Sequence, residues 1–440
     1  MSDMPSSSQP HTTAGIRAPT LWHHADFMKL WVGQTTSFFG SALTRLALPL
    51  IAAFTLNATP VDMGLLAAVG TAPSLLVGLF AGVCVDRWRR RSLLIVGDVG
   101  RALLLVTIPA AAFLGRLSMV QLYVVSFLGG ILALLFDVAS RSYLPTVIDR
   151  RQLVEGNSKL ELSGSITAVA GPSLAGLIIQ AITAPVAIVL DAVSYLISAL
   201  CVFLIKRREE APQIPRAPML TQVQEGLAVV LRLPLLRAFA GCLATSNFSA
   251  NAFFALYILF GTRVLGLNAA ALGLVYGLGA SGALVAAMVA PWVTAHLGVG
   301  RAIIVGAFLG SLEVLPVVFA TPRTAVALLL VSSLLGNFGW VLYNVNATSI
   351  RQAITPMALQ GRMNATLSFL VSGMLPLGAL AGGALGEVLG LRATITLAAV
   401  GSLLSVLWVL FSPVRGLARI PERPNNGIHP TLLRCRAQRG

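Results

Sequence analysis

The sequence predicts an all-α integral membrane protein of twelve transmembrane helices in two pseudo-symmetric six-helix bundles. Three observations carry that prediction. The 440 residues are 56% hydrophobic and only 11% charged, with a mean hydropathy of +0.83, too apolar for a soluble domain. Gly, Pro or charged interruptions cut residues 27–412 into about twelve apolar stretches, each near the ~20 residues that cross a bilayer. The stretches also form two sets of six that repeat one another.

The expected spans are 27–56, 62–85, 92–115, 119–140, 160–183 and 185–205, then 237–262, 268–295, 301–320, 324–350, 363–387 and 391–412. Residues 1–26 form a cytoplasmic N-terminal tail, 27–205 the first bundle, 206–236 a polar linker, 237–412 the second bundle and 413–440 a basic, proline-broken tail. Residues 1–20 are Ser/Thr/Pro-rich with no apolar run to serve as a signal peptide, so the first span directs insertion.

A formal charge of +15 would suggest nucleic acid as the partner of a soluble protein. Here the basic residues sort by membrane side instead. Arg87, Arg89, Arg90, Arg91, Arg150, Arg151, Lys206, Arg207, Arg208, Arg301 and Arg415 lie on one side, against Arg116, Arg263, Arg323 and Arg392 on the other. The richer side is the cytoplasm by the positive-inside rule. Both termini are therefore expected inside, in a bacterial inner membrane, with the lipid bilayer as surroundings and no nucleic-acid partner. The four cysteines are dispersed and none stands at metal-ligand spacing from another Cys or a His, so neither a metal nor a cofactor is expected.

The repeat is visible in the residues. Span 2 holds Gly64, Gly70 and then Ser74-Leu75-Leu76, and span 8 holds Gly273, Gly279 and then Ala283-Leu284-Val285. The connection after span 4 runs Arg141, Pro145, Gly156-Asn157; the one after span 10 runs Arg351, Pro356, Gly361-Arg362-Met363-Asn364. Duplicated halves around a midplane cavity suit alternating access, one half rocking against the other about a fixed site.

Between spans 2 and 3 stands Gly82-x-x-x-Asp86-Arg87-x-x-Arg90-Arg91. Gly82 lets a neighbouring helix approach, Asp86 can accept from the amides at that helix's N-terminus, and Arg90 and Arg91 can pair with nearby acids. On span 5, Gly171-Pro172-Ser173-Leu174-Ala175-Gly176 combines a small-residue face with a helix-breaking proline. The loop resembles the loop 2–3 signature of the major facilitator superfamily. The span 5 run is similar to the G-P-x-x-G-G antiporter signature of its exporters, with Ala175 at the first closing glycine. Leu30-Trp31-Val32-Gly33-Gln34, Ala47-Leu48-Pro49-Leu50, Asp191-Ala192-Val193-Ser194-Tyr195 and Pro376-Leu377-Gly378-Ala379 extend the resemblance to its macrolide-efflux and enterobactin-exporter branch. The resemblance implies a gate at Gly82, Asp86, Arg87, Arg90, Arg91 and Arg141 that latches the halves on the cytoplasmic side in one state and releases them in the other.

Ionisable residues inside spans are costly and are functional candidates. Asp98 and Arg101 lie three apart and Asp137 and Arg141 four apart, so each pair can neutralise itself on one helix face or extend the charged loop inward. Asp137 and Asp98 lead the candidates for proton coupling. Asp191 near the outer end of span 6 is expected to bond a neighbouring helix; Glu313 in span 9 has no partner in its own helix, and the peripheral position expected for that span argues against substrate contact.

By superfamily analogy, spans 1, 4, 7 and 10 line the cavity, offering Gln34, Arg45, Asn247, Asn251, Trp340, Tyr343, Asn344 and Asn346. Amides mixed with Trp and Tyr suit a large amphipathic ligand better than a small ion. No G-x-x-x-x-G-K-[ST] loop occurs, so transport must draw on an ion or solute gradient. The expectation is a secondary exporter of small drug-like compounds by proton antiport, not an enzyme, with the small-molecule substrate and the proton as its partners. Export of a siderophore or another metabolite, or movement of a lysophospholipid, are the transport alternatives. A lipid enzyme would need acids or histidines clustered at one interface, whereas the histidines lie in tails or beside a loop.

Overall fold

The computed structural model describes residues 21–78, 88–207, 233–355 and 357–417. Gly82, Asp86 and Arg87, most of the linker and the outermost parts of both tails lie outside the described residues. Among the described residues twelve helices of more than ten residues account for the fold, and no strand occurs. In the first half they are α1 (Ala25–Leu50), α2 (Pro60–Leu76), α3 (Arg90–Phe113), α4 (Met119–Val147), α5 (Leu153–Ile182) and α6 (Ala184–Phe203). In the second they are α7 (Pro234–Arg263), α8 (Ala269–Leu297), α9 (Val299–Ser311), α10 (Ala325–Ile354), α11 (Met357–Leu389) and α12 (Leu391–Leu410). All are long and apolar enough to cross a membrane except α2, which is apolar but has 17 described residues; for α9 the crossing includes the helical turn Leu315–Val318.

Helix starts follow local chemistry. Thr59 caps α2 in a reciprocal box: its hydroxyl accepts from Asp62 N at 3.1 Å while Asp62 Oδ2 accepts from Thr59 N at 2.9 Å, with Pro60 at the first helical position. Asn268 caps α8, its Oδ1 accepting from Ala271 N at 2.9 Å. Tyr123 at the start of α4 donates to Asp62 Oδ1 at 2.9 Å, tying α4 to the first turn of α2.

Several helices outrun the spans expected from hydropathy. α4 continues through Pro145 to Val147, and α5 begins at Leu153 after a 3-10 turn, Arg150–Gln152. Hydropathy marks only the hydrocarbon-crossing part of a helix. Charged turns such as Glu155 to Lys159, paired at 3.5 Å, stay helical beyond it.

The halves repeat each other in packing: α1 lies on α5 and α6 as α7 lies on α11 and α12, and α3 lies on α4 and α6 as α9 lies on α10 and α12. Between the halves, α2 packs on α11 and α5 on α8. The hydrophobic core divides by end. At the end bearing Arg90, Arg150, Arg237 and Arg351, here the basic end, the described residues form two separate cores, one around Phe27, Leu94, Tyr143 and Val202 and the other around Phe239, Ile303, Tyr343 and Met363. At the far end one core spans both halves, joining Leu50, Ile108 and Ile179 to Phe253, Leu272, Val317 and Ile395.

Candidate functional site

Inside the first half, four helices bring ionisable side chains together. On α3, Arg101 Nη2 donates to Asp98 Oδ1 at 2.6 Å, and Arg101 Nε donates to Gly97 O at 3.2 Å. The guanidinium lies over Phe136 of α4 at 4.5 Å and Tyr195 of α6 at 4.1 Å from the ring centroids. Two rings and a carboxylate thus replace the water of a buried cation. The Tyr195 hydroxyl hydrogen-bonds Ser41 of α1 at 2.9 Å. Asp191 of α6 accepts from Thr44 of α1 and, at 3.0 Å, from Ser194. Asp98 Oδ2 and the Ser198 hydroxyl beside it have no partner that meets hydrogen-bond geometry.

Asp137 completes the cluster differently. It is exposed and has Arg101, Arg141 and Arg45 within electrostatic reach, without a hydrogen bond or direct ion pair to any described residue. The i, i+4 pairing of Asp137 with Arg141 therefore does not form, while the i, i+3 pairing of Asp98 with Arg101 does. Asp98, Asp137 and Asp191 set against Arg45, Arg101 and Arg141 balance when all are charged. One added proton would leave the group with a net positive charge at membrane depth.

The expected cavity residues separate. Arg45 is exposed, Asn247, Asn251 and Asn344 are half-buried, and Trp340 is 61% exposed. The Asn247 and Asn251 amides donate back to Leu243 O at 2.8 Å and Asn247 O at 3.0 Å, so their carbonyl oxygens remain available. The other three are buried against neighbouring helices. Gln34 is buried and donates to Ser140 of α4. Asn346 is buried and accepts from Thr294 of α8 at 2.9 Å. Tyr343 is buried edge-on against Phe239 of α7 at 6.4 Å, beside Cys242.

Of the expected gate, Arg91 binds within its own half, its guanidinium 5.7 Å from the Phe203 ring of α6, and Arg141 is exposed. All ion pairs among the described residues lie in the first half; none joins the two. Asp26 accepts from the Lys206 and Arg207 amides at 3.3 Å, and Arg207 reaches Asp149 at 3.5 Å, fastening the end of α6 to α1 and α4.

The span 5 signature sits where the halves meet. A Cβ on Gly273 of α8 would lie 2.7 Å from Gly176 Cα, and one on Gly171 would lie 2.9 Å from Ala42 Cβ of α1. Across the pseudo-two-fold axis, a Cβ on Gly64 of α2 would lie 2.6 Å from Gly383 Cα of α11. Two glycine-on-glycine crossings therefore join the halves, backbone against backbone. Gly383 escaped the sequence reading, although Gly378-x-x-x-Gly382-Gly383 carries the small-residue spacing that such contacts use.

A sequence profile of the Major Facilitator Superfamily matches residues 30–375. The chain belongs to this superfamily. Among its relatives, the multidrug efflux pump Tap of Mycolicibacterium fortuitum is 27% identical over 86% of this chain and 93% of its own length. The uncharacterized MFS-type transporter YfiS of Bacillus subtilis is 28% identical over 50% of this chain, which spans about half, 53%, of that relative. Solved superfamily structures share the fold. The nucleoside transporter NupG superposes with a TM-score of 0.70 at 11% identity, covering 88% of this chain and 98% of its own. A bacterial homologue of the iron transporter ferroportin superposes at 0.69 with 15% identity, covering 88% and 98%. The protein is thus a multi-pass membrane transporter of the superfamily, not an enzyme.

Proposed function

We propose that this superfamily member exports small hydrophobic or amphipathic compounds from the bacterial cytoplasm or inner leaflet by proton antiport, with the basic end and both termini cytoplasmic. The observation that carries the reading is the unequal core of the described residues, fused across both halves at the far end and divided at the basic end. That is the packing of a carrier open toward the cytoplasm and shut toward the outside, one of the two states alternating access requires. The similarity to a multidrug efflux pump over most of both chains supports export of drug-like cargo.

In the proposed cycle, Asp137 is the proton carrier, since it alone of the three first-half acids is both exposed and unpaired. Asp98 and Asp191 hold the arginine and hydroxyl framework around it. One proton crossing 100 mV supplies about 2.3 kcal/mol, enough for roughly a 40-fold gradient of a neutral solute. The test is uptake of a fluorescent cationic dye or a macrolide into proteoliposomes under an imposed pH gradient. The wild type is expected to concentrate the compound, and Asp137→Asn to lose gradient-driven flux while still binding it. Full gradient-driven flux in Asp137→Asn would remove that acid from the cycle, and no flux of any compound would sink the drug-export reading.

A further inference from the structure

The second half holds one intramembrane acid that the proposed cycle does not use, and it is built differently from those of the first. α9 stops at Ser311 and resumes only as the turn Leu315–Val318, so Glu313 stands in a break instead of inside the continuous span expected from the sequence. The Ser332 hydroxyl of α10 donates to Glu313 O and fixes that break. Gly336, one turn further along α10, lets the side chain pass: a Cβ there would lie 2.7 Å from both Glu313 Cγ and Oε2. The carboxylate is directed into the bundle, within electrostatic reach of Tyr257 of α7 and Tyr276 of α8.

Those rings belong to a chain of aromatics. Tyr257 and Tyr276 stand 5.0 Å apart between centroids, Phe253 lies 5.2 Å and Phe254 6.4 Å from Tyr257, and Phe254 is itself exposed. The clustered acids of the first half have arginines in reach, but the Glu313 carboxylate has neither a hydrogen bond nor a cation partner among the described residues. Arg392, a cation in this region, is taken up by the Val318 and Ala320 carbonyls at 3.2 and 2.8 Å and by the Phe260 ring. A largely buried acid without a counter-ion among the described residues, within electrostatic reach of two tyrosines of an aromatic chain, has the chemistry that selects a large organic cation, with aromatic side chains and one carboxylate replacing its hydration.

We propose that Glu313, with Tyr257, Tyr276 and Phe254, forms a binding subsite for lipophilic monocations such as quaternary ammonium or phosphonium compounds. The proposal rests on the reading of the chain as an exporter of amphipathic compounds and names the class of cargo the second half selects. The test is equilibrium binding of tetraphenylphosphonium to the purified full chain, beside an uncharged amphipath, chloramphenicol. Glu313→Gln is expected to weaken tetraphenylphosphonium about tenfold or more, and Tyr276→Leu severalfold. Chloramphenicol binding should stay within twofold in both. If Glu313→Gln fails to fold, Tyr276→Leu and Gly336→Ala, which displaces the carboxylate, carry the same expectation. Unchanged tetraphenylphosphonium affinity, or equal losses for both probes, overturns the subsite. Wild type that binds chloramphenicol but not tetraphenylphosphonium overturns the subsite and leaves export standing, whereas wild type that binds neither removes the export reading with it.

Discussion

Arg101 shows how a charge is held at membrane depth. It is buried between two aromatic rings and pinned by Asp98, so loss of the guanidinium strands a fully buried carboxylate. Breaking a buried pair from one side costs about 3–5 kcal/mol. Arg101→Leu is therefore expected to lower the thermal midpoint in detergent markedly, and Asp98→Leu added to it to restore much of the loss, as read by thermal unfolding. A double variant no more stable than the single one would show that the pair does not act as a unit. This pair was legible in the sequence because an i, i+3 spacing fixes both partners on one helix face. The Asp191 to Thr44 bond was not, since its partner is 147 positions away on another helix. Tyr343 and Asn346 show the same limit: residue type suggested a cavity, but only the rotation of α10 decides that both face the bundle interior.

The starts of α2 and α8, which the caps Thr59 and Asn268 set, fall close to the starts of the expected spans 62–85 and 268–295, although hydropathy alone did not mark the caps. The break in α9 was not legible, because its hydroxyl donor Ser332 lies on the next helix. The one-residue joints between α5 and α6 and between α11 and α12 are matched in the two halves, with Thr183 at φ +73 and Gly390 at φ +83. With ψ near +155 this conformation is almost reserved for glycine, and a β-branched residue there holds about 1–3 kcal/mol of strain. Thr183→Gly is expected to raise the thermal midpoint of the detergent-solubilised protein and Gly390→Thr to lower it. A Thr183→Gly variant less stable than wild type would mean that the threonine side chain contributes more than its backbone costs.

At the scale of the molecule, the duplication was the most legible feature and the most consequential. Gly64 and Gly273, noticed as repeats, prove to be partners of Gly383 and Gly176 at the two crossings between the halves. Which end those crossings close was beyond the sequence, because it depends on how α2 meets α11 and α5 meets α8. The far end is held by close backbone contact and one shared core, and the basic end by neither a shared core nor an ion pair among the described residues. Rocking the halves must therefore separate the glycine crossings while bringing the two basic-end cores together.

Alternating access is read out by interspin distances between labels at the two ends, one pair at Val154→Cys and Gln352→Cys at the basic end and another at Phe113→Cys and Phe319→Cys at the far end, all exposed positions. In the proposed cycle protonation favours the state open at the basic end, and bound cargo at high pH favours the opposite one. Acidification should thus lengthen the Val154–Gln352 distance and shorten the Phe113–Phe319 distance, with cargo at alkaline pH reversing both. Distances that stay fixed under every condition, or that lengthen and shorten together at the two ends, would contradict alternating access by this protein.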